Sequence, residues 1–262
     1  EISIDEIPYT LIFCTQTPDF TIPHCSAILQ DRLNLPTSTK CFDISLGCSG
    51  YSYGLSIAYS MLESGISKSV FLITGDVYSK IINQNDKTSY LLFSDAVACS
   101  MLVKPEEKLP FAFGTDGGGF ENIIYPMSGT NAVNKNSNIP YCSINDNGRF
   151  EMKGAAVYLF TMSVIVDEIK AFMKKSDLSF NDIDFVVLHQ ASLLVLKTIQ
   201  LKLNIPDHKM LIDIEEIGNT GSASIPIAIK RAEDKKLFKR GSRLLLFGFG
   251  IGLSWSGSIL RY

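Results

Sequence analysis

Residues 49–62, SGYSYGLSIAYSML, form a helix-length stretch with no charged residue, and this narrows the folds open to the chain more than any other feature. Its polar side chains are serines and tyrosines only, so no face of such a helix is built for water. A helix of this kind lies in the centre of a larger structure. Gly65 stands at its C′ position, where a residue free to turn left-handed closes a helix. The chain is large and apolar enough to surround it. It has 262 residues, 46% hydrophobic and 19% charged, enough for one large domain or two of ordinary size. The same numbers exclude global disorder.

Around this helix, apolar β-branched runs alternate with helical stretches. Strands are expected over 9–15, 41–45, 69–75 and 96–103, with helices over 25–33 and 49–65. Residues 111–116 and 123–126 read as strand pieces around the glycine loop 117–119, and the Asn-rich stretch 130–147 reads as a loop. The pattern then restarts, with a helix over 154–175, a strand over 185–188, a helix over 192–203, a short strand over 209–212 and a helix over 222–234. The apolar stretch 244–260 is interrupted by glycines and serines and closes the chain as two strands joined by a glycine turn. Alternation of this kind predicts an α/β architecture with a largely parallel sheet. The restart suggests two similar halves, residues 1–147 and 148–262.

Charge and cysteine usage remove several function classes. Lys plus Arg is 24 against 27 Asp plus Glu, a net charge of −3, so there is no basic field for nucleic acid. The start, EISIDEIPYT, has neither the basic nor the apolar region of a signal peptide. Residues 244–260 are too few and too glycine-rich for a spanning helix, so no membrane association is expected. Six cysteines without a CxxC pair fit reduced thiols of a cytoplasmic protein. Three scattered histidines give no metal spacing, and neither a Walker A lysine nor a GxSxG elbow is present. The glycine-rich FGFGIG at 247–252 lacks the strand–helix context of a dinucleotide site. No cofactor is therefore expected.

Three residues stand where chemistry is done. Cys48, in DISLGCSGY at 43–51, follows a strand and a tight turn at the start of the uncharged helix. Backbone N–H groups there would lower its pKa and could hold an oxyanion. Taken alone, Cys48 reads equally well as a small buried hydrophobe. Cys14, Cys41 and Cys99 lie inside apolar strand runs and read as core, while Cys25 and Cys142 belong to no motif. His189 ends the strand FVVLH, and the C-terminal end of a parallel strand is where α/β sheets place their sites. By itself it reads as a core histidine, whereas His24 and His208 read as surface residues. Asn219 lies in GNTGSAS, a small-residue loop opening a helix, which is also ordinary turn chemistry.

In this order, Cys48 in GCSGYSYGLS, the segment FEMKGA at 150–155, His189 in LHQAS, Asn219 in GNTGSAS and the closing FGFGIGLSW resemble the type III β-ketoacyl-acyl-carrier-protein synthases of the thiolase superfamily. The resemblance spans essentially the whole chain. It implies a five-layered αβαβα thiolase-like fold of two similar halves, a homodimer, and condensation of a short acyl-CoA with malonyl-acyl carrier protein with loss of CO₂. By position, Cys48 matches the nucleophile that becomes a thioester. Its own N–H and one from the 250–252 turn, which includes Gly250 and Gly252, would form the oxyanion hole. His189 and Asn219 match the pair that binds the malonyl thioester oxygen and stabilises the enolate. Phe249 matches an aromatic that shields the cysteine from water. Phe20 and Ile22 match a segment closing the acyl pocket across the dimer, and Lys87 and Lys197 offer charge to the CoA phosphates or the carrier protein.

Related branches fit less well. No cysteine follows Cys142, as biosynthetic thiolases require, and Gln16 stands where HMG-CoA synthases carry glutamate. Chain-elongating synthases use two histidines. The departures from the type III pattern are Ser192 where the motif reads HQAN, Leu194 where an arginine serves carrier docking, and a start that leaves out the family's first strand and helices. Two other functions are compatible with these residues. One is a superfamily acyltransferase that moves an acyl group from Cys48 to an oxygen, nitrogen or sulfur acceptor without decarboxylation. The other is a non-catalytic partner subunit.

Overall fold

The alternating segments sort into two four-stranded sheets with helices between and outside them. The structure is a computed structural model and describes residues 9–126, 128–129 and 149–262. The expected loop over 130–147 and Cys142 lie outside the described residues. In chain order the elements are β1 (Tyr9–Cys14), α1 (Cys25–Arg32), β2 (Lys40–Ile44), α2 (Gly50–Glu63), β3 (Ser69–Asp76), α3 (Lys87–Tyr90), β4 (Ala96–Val103) and β5 (Phe111–Thr115). The short β6 (Ile123–Ile124), β7 (Glu151–Met152), α4 (Gly154–Phe160), α5 (Val166–Lys175), β8 (Phe185–Leu188), α6 (Leu193–Leu203) and α7 (Ile214–Ile217) follow. The chain closes with α8 (Ser224–Asp234), β9 (Arg243–Gly250) and β10 (Ser254–Arg261).

The first sheet has the order β2-β1-β3-β4, with β1 parallel to both neighbours and β4 antiparallel to β3. The second has the order β5-β10-β9-β8, with β8 parallel to β9 and the remaining pairs antiparallel. The run β1-β3-β4 therefore repeats as β8-β9-β10 in neighbours and direction, the restart expected from sequence. A parallel bridge from Val186 to Met210 occupies the place that β2 holds beside β1. Over 209–212 the chain makes only that bridge and no strand: Lys209 ends a 3₁₀ turn, and its ammonium donates to the carbonyls of Phe180, at 2.8 Å, and Ile183, at 2.7 Å. Strand β5, assigned from sequence to the first half, pairs with β10 in the second sheet.

Helices α2 and α8 lie between the sheets. α2 packs on β1, β3 and β4 on one side and on β9 and β10 on the other. Its Leu55, Ala58 and Leu62 share a cluster with Ile12 and Leu72 of the first sheet, Ala228 of α8, and Val187 and Leu246 of the second. Charged side chains at these positions would be desolvated without partners, which is why the helix has none. α1 covers the outer face of the first sheet with Leu11, Leu35 and Ile73 beneath it, and α5 and α6 cover the outer face of the second. The result is the five-layered αβαβα arrangement of the thiolase fold.

Two local differences have physical causes. The expected helix over 154–175 is interrupted by a π-helical turn over Thr161–Ile165. There Thr161 and Ser163 each donate to a carbonyl four residues back, at 2.8 Å, which competes with regular spacing. Cys99, expected in the core, is exposed. It falls in the row Val97, Cys99, Met101 and Val103 on the uncovered side of β4. No helix among the described residues is long and apolar enough to cross a membrane.

Candidate active site

Cys48 lies between the end of β2 and the first turn of α2, in a tight turn closed by the Gly50 N–H on the Gly47 carbonyl at 2.7 Å. The thiol is buried because β9 runs directly against it. A Cβ on Gly248 would sit 2.4 Å from the Cys48 carbonyl oxygen, and one on Gly250 2.9 Å from Cys48 Sγ. Gly250 also has φ +156°, so the strand can approach this closely only with glycine at these positions. The contact is fastened by Ser49 Oγ on Ser254 Oγ at 2.8 Å and by Ser256 Oγ donating to the Ser49 carbonyl at 2.7 Å. The backbone N–H groups of Ile251 and of Cys48 itself reach the sulfur.

These N–H groups do not make Cys48 a thiolate, contrary to the sequence expectation. Burial pushes the thiol up to about 12, with the Asp76 charge adding to the effect, and the two N–H groups only partly oppose it. The thiol is therefore the resting form at pH 7.

His189 directly follows β8 and is buried, with its ring edge-on to Phe249 at a centroid separation of 5.7 Å. Burial lowers its pKa to about 3, so the ring is neutral at physiological pH. Its Nδ1 lies 2.7 Å from Ser224 Oγ, and the same oxygen accepts the Gln190 N–H at 3.4 Å. Ser224 Oγ can donate to Nδ1 or accept from it, and in the tautomer where it donates, Nε2 carries the ring proton.

Asn219 is fixed through its backbone and its side chain. Its N–H donates to the Leu92 carbonyl and its carbonyl accepts from Ser94, both at 2.9 Å. Its Oδ1 accepts from the Gly221 N–H at 3.0 Å, and its amide nitrogen donates one proton to the Ala191 carbonyl at 3.2 Å. Cys48, His189, Asn219, Phe249 and Gly250 all line one cavity of about 330 Å³. Its remaining wall is largely apolar, with Leu92, Ile123, Met152, Val157, Leu194 and Val195. One buried thiol, one neutral imidazole donor and one amide donor thus converge at the end of an apolar passage. Among the described residues no cluster could hold a metal ion.

Comparison with known proteins agrees with this geometry. Residues 42–117 match the family described as 3-oxoacyl-[acyl-carrier-protein] synthase III, and residues 173–262 match that family's C-terminal description. A β-ketoacyl-[acyl-carrier-protein] synthase III of Clostridium tetani is 32% identical over 258 residues, covering 96% of this chain and 77% of its own. The chain belongs to the synthase III family. A 3-oxoacyl-(acyl-carrier-protein) synthase III crystal structure superposes with TM-score 0.91 at 33% identity, covering 100% of this chain and 80% of the other. The priming β-ketosynthase of the R1128 polyketide pathway superposes at 0.88 with 25% identity, covering 99% and 76%.

Within this synthase III fold the remaining expected residues divide. Gly252 does not line the cavity, and the N–H of the 250–252 turn that reaches the sulfur is that of Ile251. Both departures, Ser192 and Leu194, do line it. Ser192 caps α6 by accepting the Val195 N–H at 3.2 Å. Lys87 and Lys197 are exposed and outside the cavity lining, although Lys87 adjoins Thr88, which lines it. Lys197 donates to Gln200 Oε1 at 3.4 Å. Phe20 and Ile22 lie outside the cavity and are 57% and 86% exposed. Sequence reasoning missed Ser224, whose one signal was its place on the loop that carries Asn219, and it did not single out Ile251.

Proposed function

We propose that this synthase III condenses an acyl-CoA with malonyl-acyl carrier protein, loses CO₂ and gives a 3-oxoacyl thioester that starts a fatty-acid or related chain. The observation that carries the reading is the convergence of Cys48, His189 and Asn219 on one apolar cavity. In the first half-reaction Cys48 Sγ attacks the acyl-CoA carbonyl, whose oxygen takes the N–H groups of Cys48 and Ile251. The thiol's proton leaves with the CoA sulfur, so acyl-Cys48 and free CoA result. In the second, the malonyl thioester oxygen takes hydrogen bonds from His189 Nε2–H and the Asn219 amide. They stabilise the enolate as the C–CO₂ bond breaks. The enolate carbon then attacks the acyl-Cys48 carbonyl, the C–S bond breaks and the departing thiolate takes a proton from solvent. Phe249 keeps water from the thioester. CoA thioesters enter as substrates, and no bound cofactor takes part.

We assign Lys87 and Lys197 to the phosphates of CoA or of the carrier protein. We also assign a homodimer, in which Phe20 and Ile22 close the partner's acyl pocket. The exposure of both side chains, and the outer edge of β2, unpaired among the described residues, support this. The halves are taken as residues 1–147 and 148–262, with β5 exchanged into the second sheet. A cytoplasmic location is supported by the five described cysteines, all free thiols.

The test is intact mass after incubation with a panel of acyl-CoAs, beside Cys48→Ala. The reading predicts a gain of one acyl group in the wild type and none in the variant. No gain with any donor would defeat it. Unchanged activity of a complex carrying Cys48→Ala would point to a partner subunit.

A further inference from the structure

Asp76 ends β3 and does not line the cavity that holds Cys48, and no step of the condensation uses it. Its side chain is 2% exposed. Oδ1 accepts the Gln16 N–H at 2.8 Å and Thr15 Oγ1 at 3.3 Å. Oδ2 accepts Ser222 Oγ at 2.7 Å and the Ser222 N–H at 3.4 Å. The first pair of donors follows β1 of one sheet. The second sits in the turn between Asn219 and α8, which belongs to the other half. Gly221, at φ +57°, lets that turn press close, since a Cβ there would lie 3.0 Å from Asp76 Oδ2 and 2.7 Å from Tyr78 Oη.

The surroundings suit a carboxylate. Each oxygen faces an obligatory backbone donor, so neither position suits the amino group of an asparagine. Among the described residues no ion pair involves Asp76, and its titratable neighbours are Cys14, Cys48 and Tyr78. Burial pushes all three of these up, so they stand as neutral thiols and a neutral phenol. Burial also raises Asp76 itself, and the four donors oppose that.

We propose that Asp76 is a positioning residue, a buried carboxylate that clamps the Asn219 turn onto the Thr15–Gln16 loop and so holds the Asn219 amide toward the cavity. The role rests on the condensation reading, in which Asn219 acts only on the malonyl half-reaction. The clamp therefore acts unequally on the two halves of the reaction. The charge also opposes a thiolate at Cys48.

The experiment compares Asp76→Asn and Ser222→Ala with wild type. Three quantities are measured: acyl transfer to Cys48 by intact mass, CO₂ release from malonyl carrier protein by the acylated enzyme, and the pH profile of Cys48 alkylation by iodoacetamide. Both variants should lose CO₂ release by roughly tenfold or more, the loss of a hydrogen bond to a charged group. Acyl transfer should change by less than about threefold. Asp76→Asn should move the alkylation profile to lower pH, while Ser222→Ala, which keeps the charge, should leave it in place. A purely structural residue would depress both half-reactions together and leave the profile unmoved, and that result overturns the proposal. Equal rates in all three proteins overturn it as well. If Asp76→Asn does not fold, the half-reaction split in Ser222→Ala decides. If wild type accepts no acyl group, the condensation reading fails, and the alkylation profiles still judge the carboxylate.

Discussion

Ser224→Ala isolates the hydroxyl that sets the protonation of His189. Ser224 Oγ is 2.7 Å from Nδ1 and 3.4 Å from the Gln190 nitrogen, and both side chains are buried. Water cannot replace the lost hydroxyl without new space, so Nδ1 is left as an unpaired acceptor. Leaving a buried polar group unpaired costs about 1–3 kcal/mol. Without the Ser224 proton nothing at Nδ1 favours the tautomer that keeps the ring proton on Nε2, so the Nε2–H donor into the cavity is no longer held. The 3.4 Å contact to Gln190 is long and adds little. With about 1.36 kcal/mol per factor of ten, the variant should release CO₂ from malonyl thioester roughly 5–150-fold more slowly. Acyl transfer from acyl-CoA to Cys48 does not use Nε2–H and should stay within about threefold of wild type. Stopped-time assays of the two half-reactions on the same preparation give the ratio. Equal losses in both, or CO₂ release at the wild-type rate, would refute the tautomer argument.

Three further outcomes follow from the same geometry. Gly248→Ala places a Cβ 2.4 Å from the Cys48 carbonyl and 3.0 Å from Ser49 Cα, both backbone atoms. It should lower stability by about 1–3 kcal/mol in denaturant titration and displace the Ile251 N–H, reducing acyl transfer more than CoA binding. With its thiol pushed up to about 12, Cys48 should alkylate ever faster with iodoacetamide up to pH 10, whereas a free thiol levels off above about 8.5. His189 has its pKa lowered by burial to about 3, so the unfolded chain binds the extra proton first as pH falls below about 6.5. Stability should therefore be full above that pH and fall by about 1.4 kcal/mol at pH 5.5, and His189→Asn should lose this slope in thermal melts.

Much of this could be read in the sequence because the relevant signals are local. The uncharged 49–62 segment marked the middle layer, and GCSGY, LHQAS and GNTGSAS marked the three loops that meet at the cavity. What could not be read depends on distant partners. Cys48 has local features of a low-pKa thiol, yet β9 pressing on it and Asp76 behind it raise the pKa instead. Cys99 sits in an apolar run, but its row on β4 faces outward. The expected strand 209–212 is reduced to a single bridge from Met210 to Val186, after a 3₁₀ turn that ends at Lys209. Strand β5 reads like its predecessors, and only its pairing with β10 places it in the other sheet.

On the condensation reading acyl-Cys48 is attacked by an enolate made in the same cavity. CO₂ and 3-oxoacyl thioester are counted in one vessel, with pre-acylated protein and malonyl carrier protein. Condensation gives equal amounts of both products, and both are lost in His189→Ala and Asn219→Ala while Cys48 still accepts the acyl group. Transfer of the acyl group to an acceptor with no CO₂ released would contradict it and identify a simple acyltransferase.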